Sequence, residues 1–128
     1  MKKKIEEQEK FLPHFDRTGL MPAIIVDSTN GRVLMMAWVS EVSLQKTLET
    51  GYVHYWSRSR KKIWKKGETS GHTQKLVSMK TDCDQDTLLL EVIQNGNACH
   101  TDRKTCFYRE IDWLEKTDFR SCSVRFVE

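Results

Sequence analysis

The densest chemistry in the chain is the run Asp82-Cys83-Asp84-Gln85-Asp86, followed by Cys99-His100 and Cys106. Carboxylates are hard ligands that suit magnesium, calcium or manganese, whereas thiolates are soft and suit zinc. Together they point to two metal ions in one region, and so more to catalysis than to architecture. Along an extended chain, alternate side chains face opposite ways. That geometry puts Asp82, Asp84 and Asp86 on one face and Cys83 on the other, so one short segment serves a carboxylate site and a thiolate site.

The D-x-D-x-D spacing also opens a calcium-binding EF-hand loop, which needs glycine at its sixth position and glutamate at its twelfth. Thr87 and Ile93 stand there, which excludes it. The remaining alternative is a merely solvated acidic turn, but three carboxylates this close repel one another unless a cation neutralises them. Cys83, Cys99 and Cys106 are separated by fifteen and then six residues. They lack the C-x-x-C knuckles of structural zinc modules. On spacing alone, three buried thiols without a metal stand level with a three-ligand zinc whose fourth position is open to water. Cys122 lies outside the cluster and reads as a core or incidental thiol.

The elements that must position these groups follow from pattern. Residues 2–12 are charged and helix-favouring ahead of Pro13. A strand over Ala23–Val26 leads through Asn30-Gly31, a hairpin signal, into a returning strand from Arg32 to Val39 whose apolar run suits burial on both faces. Ser40 is placed to cap a helix that Gly51 ends, and Leu44 and Leu48 share one of its faces. A strand over 52–56 turns Val53 and Tyr55 to one side. Residues 57–73 form a long binding loop with room for one short strand. Strands are expected at Gln74–Thr81, Thr87–Gln94 and around Thr105–Arg109, with the tail after Glu110 unassigned. The expected fold is α+β and β-rich, a mixed sheet with one amphipathic helix near residues 41–50.

At 128 residues the chain reads as one domain over 1–128, long enough to fold without a metal or disulfide. The net charge of +3 does not mark a nucleic-acid binder, but Arg58, Arg60, Lys61, Lys62, Lys65 and Lys66 crowd one stretch. That stretch is either a solvated loop or a seat for a phosphorylated ligand. Lys2, Lys3 and Lys4 run into Glu6, Glu7 and Glu9 with no apolar signal-peptide core. No apolar run approaches the ~18 residues of a membrane span. The expectation is a cytoplasmic protein with reduced thiols and no membrane partner.

Several longer words match a known family in order. They are Gly19-Leu20-Met21-Pro22-Ala23, Leu48-Glu49-Thr50-Gly51, Ser57-Arg58-Ser59-Arg60 and Trp64-Lys65-Lys66-Gly67-Glu68-Thr69-Ser70-Gly71. Then come Asp82-Cys83-Asp84-Gln85-Asp86, Ala98-Cys99-His100-Thr101 and Cys106-Phe107-Tyr108. From about Gly19 to Arg109 the chain resembles the phosphoribosyl-AMP cyclohydrolases of histidine biosynthesis, in a monofunctional form too short for a fused pyrophosphohydrolase. Asn97 in place of a common proline, and Asp102-Arg103-Lys104, depart from the pattern without removing a ligand.

The resemblance implies a β-rich pseudo-barrel and a homodimer that shares its zinc, with Cys83 of one subunit joining Cys99 and Cys106 of the other. Asp82, Asp84 and Asp86 would bind magnesium. The implied reaction is hydrolysis of the N1–C6 bond of 1-(5-phosphoribosyl)-AMP, with zinc supplying the attacking water as hydroxide. Three thiolates acidify that water less than three histidines do, which calls for a general base. His100 is the first candidate, then His72 and His54, with Glu68 as a proton relay or ribose ligand. Arg58, Arg60 and Lys66, with Ser59, Ser70 and the amides near Gly67 and Gly71, are expected on the phosphates, and Trp64 on the purine.

Two other classes fit the residues less well. Zinc deaminases show H-x-E and P-C-x-x-C words, which are absent. A zinc-stabilised nucleic-acid module built on Trp56, Trp64 and the basic stretch is disfavoured, because the acidic run repels phosphates. No nucleic-acid partner is expected.

Overall fold

The computed structural model describes residues 4–128. Its frame is a six-stranded sheet in the order β4-β3-β2-β1-β6-β5, and a small sheet pairs β7 with β8. The strands are β1 (Leu20–Asp27), β2 (Val33–Ser40), β3 (His54–Ser57), β4 (Lys62–Lys65), β5 (Gln74–Thr81), β6 (Leu88–Gln94), β7 (Arg109–Asp112) and β8 (Ser123–Phe126). All neighbours in the large sheet are antiparallel except β1 and β6, which run parallel, so the sheet is mixed. A bridge from Tyr52 to Lys75, flanked by Val53 N donating to Gln74 O (3.0 Å) and Leu76 N to Gly51 O (2.8 Å), draws β5 round to the start of β3. The sheet thereby curls into a half-barrel, and the α+β, β-rich expectation holds.

The alternation of β-strands fills the inside of the curl. Met21, Ala23 and Ile25 of β1, Met35 and Val39 of β2, and Leu88, Leu90 and Val92 of β6 are buried there with Val53 and Tyr55. Gln74 is also fully buried; it accepts from the Tyr55 hydroxyl and donates to Gln94 Oε1 (2.8 Å) and Met35 Sδ (3.4 Å), so the buried polar groups are paired. The opposite face is different. Met36, Ile24 and Leu89 form a row across β2, β1 and β6, in which Ile24 and Met36 are 36% and 46% exposed. β2 is therefore buried on one face, not both.

α1 (Glu41–Thr50) has the expected caps: Ser40 Oγ accepts from Ser43 N, and Gly51 at φ +77° closes the end. Its buried side is Ser43, Leu44 and Thr47, while Leu48 is exposed. Thr47 sets that rotation, since its hydroxyl donates to Ser43 O (2.9 Å) and accepts from His54 N (2.9 Å), docking the helix on β3.

Three other segments depart from expectation. The amino-terminal helix over 2–12 shrinks to one 3-10 turn, Ile5–Glu7, with residues 2 and 3 outside the described residues. Thr105–Tyr108 is not a strand; Thr105 Oγ1 donates to Val33 O (2.8 Å) and Cys106 N to Leu34 O (2.7 Å), tying the segment to the start of β2. The strand begins only at Arg109. The tail forms the β7–β8 hairpin, anchored by Arg103, whose guanidinium lies 4.1 Å from the Tyr108 ring centre and 5.2 Å from that of Phe126. Cys122 is half-buried at the foot of that hairpin.

Candidate active site

Asp82–Asp86 is a turn between β5 and β6, not an extended segment. Asp82 Oδ1 accepts from Asp86 N (3.0 Å) and Thr87 N (3.1 Å), which folds the run back on itself. Gln85 takes the left-handed conformation at φ +59°. The three carboxylates still converge, with ligand atoms within 4.8 Å of one another. Slight desolvation pushes Asp82 upward, but hydrogen bonds from Asp86 and the Asp86 and Thr87 amides outweigh it and hold its carboxyl below the ordinary value. Asp86 moves the other way, raised by hydrogen bonding to Asp84 and Asp82 and by their charges. A set of three close carboxylates, one of them reluctant to ionise, fits a hard divalent cation.

Sequence reasoning missed what holds this turn. Gln85 is buried, its Oε1 accepts from Leu12 N (2.7 Å), and its Nε2 donates to Lys10 O (3.2 Å). Its own carbonyl accepts from His14 N (2.7 Å), and His14 Nδ1 lies 3.0 Å from Asp84 O. Residues 10–14 thus form a strap across the acidic turn. These partners lie 70 to 75 positions away, and no local pattern announces them.

The cysteines divide into two groups. Cys99 is 6% exposed, its thiol lies 2.9 Å from Thr101 Oγ1, and Cys106 is near enough for the two thiols to perturb each other's ionisation. Burial pushes Cys99 up, yet hydrogen bonds from Thr101 and Cys106 and the charge of Lys66 bring it below its ordinary value. Cys106 reaches solvent, but partial desolvation of its thiol, then the Cys99 charge, pushes it up to about 11. Such a pair shares one charge and suits a soft cation that would deprotonate both. Cys83 is exposed on the acidic turn. Among the described residues, the only convergent group of three ligand-type side chains is the aspartate trio, so Cys83 does not join Cys99 and Cys106 within one chain.

Lys66 stands beside the thiol pair. Its Nζ donates to Ala98 O (2.6 Å), and burial lowers its pKa against the thiolates that raise it. Gly67 follows at φ +81°, where a Cβ would sit 2.4 Å from the His72 carbonyl carbon, so the loop closes here only on glycine. His72 is half-buried, with its ring against Gly96 and Nδ1 3.1 Å from Asn97 O. A carbonyl only accepts, so Nδ1 carries the proton and Nε2 is the basic nitrogen. Ser70 Oγ accepts from His72 N (3.2 Å), and Gly71 N donates to Gly67 O (2.8 Å).

His100 is exposed and, among the described residues, makes no side-chain hydrogen bond. His54 Nδ1 is engaged by Tyr52 O at 2.8 Å. Glu68 is exposed, with Lys65 N at 3.4 Å. Trp64 packs on Tyr55 (ring centres 5.2 Å apart) and carries Arg60 and Lys66 over its ring. Ser59 pairs with Ser57 at 3.4 Å, and Arg58 lies 4.8 Å above Trp38, a residue the sequence reading passed over.

Comparison with known proteins bears on the same residues. The family model for phosphoribosyl-AMP cyclohydrolase matches residues 35–108. The phosphoribosyl-AMP cyclohydrolase of Hyphomonas neptunium is 54% identical over 107 residues, covering 84% of this chain and 82% of that protein. The one from Brucella canis is 54% identical over 112 residues, covering 86% and 81%. The matched span contains the acidic turn, the thiol pair and the Lys66–His72 loop, and the chain belongs to the phosphoribosyl-AMP cyclohydrolase family, enzymes of histidine biosynthesis.

Proposed function

We propose that this chain hydrolyses the N1–C6 bond of 1-(5-phosphoribosyl)-AMP in a metal-dependent reaction, as a cytoplasmic homodimer whose zinc is shared between subunits. The observation that carries the dimeric site is the division of the cysteines. Cys99 and Cys106 form a two-thiol half-site, while Cys83 sits apart on the acidic turn. Cys83 of one subunit with Cys99 and Cys106 of the partner subunit makes the three-ligand set. The exposed row of Met36, Ile24 and Leu89 gives such a dimer an apolar face to bury. Magnesium fits Asp82, Asp84 and Asp86.

Zinc, when bound, supplies an acidified water. The chain's own residues do the rest. Substitution at N1 leaves C6 electron-poor, so water adds there, the N1–C6 bond breaks, and C6 ends in a carboxamide. Two protons must move: one from the attacking water, one to the departing N1. His72 is the better-oriented base, because the Asn97 carbonyl holds its proton on Nδ1 and leaves Nε2 to accept. His100 adjoins Cys99 in sequence, but among the described residues no partner orients it. Lys66 places a positive charge beside the thiolates and offsets the excess negative charge of three sulfurs.

Metal-stripped protein, assayed by ultraviolet absorbance with zinc and magnesium restored separately, tests the reading. Ring opening that returns with zinc supports it; tight zinc binding without turnover under any condition refutes it. Mixing Cys83→Ser with Cys99→Ser chains tests the sharing. A shared site regains activity in mixed dimers, and a site within one chain does not.

A further inference from the structure

A groove on the outer face of the sheet joins the acidic turn to the basic loop. One part, about 450 Å³, is lined by Asp16, Thr18, Trp38, Trp56, Arg58 and Lys61. A second, about 400 Å³, shares Asp16, Leu20 and Trp38 with it and reaches Asp86 and Thr87. Both volumes lie within the ~300–1,000 Å³ of small-molecule sites. Its floor is aromatic because Trp38 of β2 and Trp56 of β3 are cross-strand partners and therefore share a face.

The groove has a chemical polarity. At one end stand Arg58 and Lys61, and among the described residues neither forms an ion pair. The Arg58 guanidinium lies 4.8 Å from the Trp38 ring centre, so it is held over the floor by the ring face. Lys61, itself left-handed at φ +51° in the β3–β4 turn, lines this end of the groove. In the middle is the Asp16 carboxylate, fixed by Thr18 N (2.8 Å) and Leu20 N (3.1 Å). At the far end is Asp86 of the acidic turn. Unpaired cations suit a phosphate, a fixed carboxylate suits sugar hydroxyls, and the acidic turn carries Cys83, one ligand of the proposed zinc.

We propose that this groove binds one ribose 5-phosphate arm of the substrate, with the phosphate on Arg58 and Lys61, the ribose beside Asp16 over Trp38, and the base directed at the Asp82–Asp86 turn. The assignment rests on the reaction proposed above. It makes Trp38, Lys61 and Asp16 binding residues; the sequence marks Lys61 only as one of six cations in a basic stretch, and Trp38 and Asp16 not at all.

Two measurements on the metal-loaded enzyme decide it. In steady-state turnover, Lys61→Gln and Trp38→Leu raise KM at least tenfold with kcat within about twofold and zinc content unchanged. In nitrogen-15 spectra, ribose 5-phosphate shifts the Trp38 indole resonance of the wild type, assigned through Trp38→Phe, and not that of Lys61→Gln. Unchanged KM in both variants, or a KM change that tracks lost zinc, overturns the groove. So does an indole resonance blind to ribose 5-phosphate. A wild type that binds ribose 5-phosphate at Trp38 but opens no ring leaves the groove standing and removes the reaction.

Discussion

Gln85→Ala should release the strap that holds the acidic turn. The wild-type side chain makes two hydrogen bonds to that strap, from Leu12 N (2.7 Å) and to Lys10 O (3.2 Å). At a net ~1 kcal/mol each, their loss costs about 2 kcal/mol. Alanine keeps the left-handed backbone, φ +59°, which costs an L-residue ~1–2 kcal/mol. Gln85→Gly loses the same bonds but sheds most of that strain. The expected stability order is therefore wild type, then Gly, then Ala, with Gly about 1 kcal/mol above Ala.

Because residues 10–14 meet the turn mainly through Gln85 and His14, the loss is local. Amide exchange at Leu12 should speed by about thirty-fold in Gln85→Ala, the equivalent of ~2 kcal/mol, while amides in the centre of β1 and β6 change far less. Residue-resolved hydrogen exchange measures both. Unchanged Leu12 protection in Gln85→Ala would show that the strap is held by something else, and equal stability of the Gly and Ala variants would refute the strain estimate.

Gly67→Ala and Gly31→Ala share a positive φ but not surroundings. A Cβ at Gly31 meets nothing within 4 Å, whereas one at Gly67 meets the His72–Thr73 backbone at 2.4–2.6 Å. Gly31→Ala should cost about 1 kcal/mol and Gly67→Ala several-fold more in urea unfolding, with His72 displaced. Lys66→Met keeps an unbranched apolar stem but removes the charge that lies 5.7 Å from the Trp64 ring centre and beside Cys99 and Cys106. It should weaken zinc binding by roughly tenfold, ~1.4 kcal/mol, in chelator competition, and unchanged affinity would remove Lys66 from the site. Asp27 is held below its ordinary value of 3.8 by the Thr29 hydroxyl and then the Thr29 amide. A depressed carboxyl contributes stability above its unfolded pKa and loses it as pH falls through the folded one. Thr29→Val should thus be less stable than wild type near neutral pH, with the gap closing well below 3.8; a gap constant with pH would mean the aspartate charge is not involved.

What could be read in advance was whatever is local. Ser40 and Gly51 bound α1 because a capping side chain and a left-handed glycine act within one turn of the helix. β5 and β6 were readable because period-two burial is written in adjacent residues. The three aspartates were expected to meet through an extended strand and instead meet through a turn; ligand type and closeness along the chain brought them together in either geometry. Thr105–Tyr108 misled because β-branched and aromatic residues favour strands, while the backbone there is claimed by the carbonyls of Val33 and Leu34. Leu48 misled for the same kind of reason, since Thr47 and His54 fix the helix rotation. The contacts that hold the candidate site were the least visible. Gln85 and His14 hold the acidic turn, Lys66 reaches Ala98, and Trp38 carries Arg58. Each depends on a partner 20 to 75 positions away. Ligand atoms are specified by residue type, which a sequence displays, but their orientation is specified by long-range packing, which it does not. The histidines show the consequence. Adjacency to Cys99 recommended His100, whereas the carbonyl of Asn97, 25 positions from His72, is what leaves a basic nitrogen held in place. Turnover of zinc-loaded His72→Asn and His100→Ala separates the two: loss of kcat at full zinc content in the first alone places the base at His72, and loss in the second alone returns it to His100.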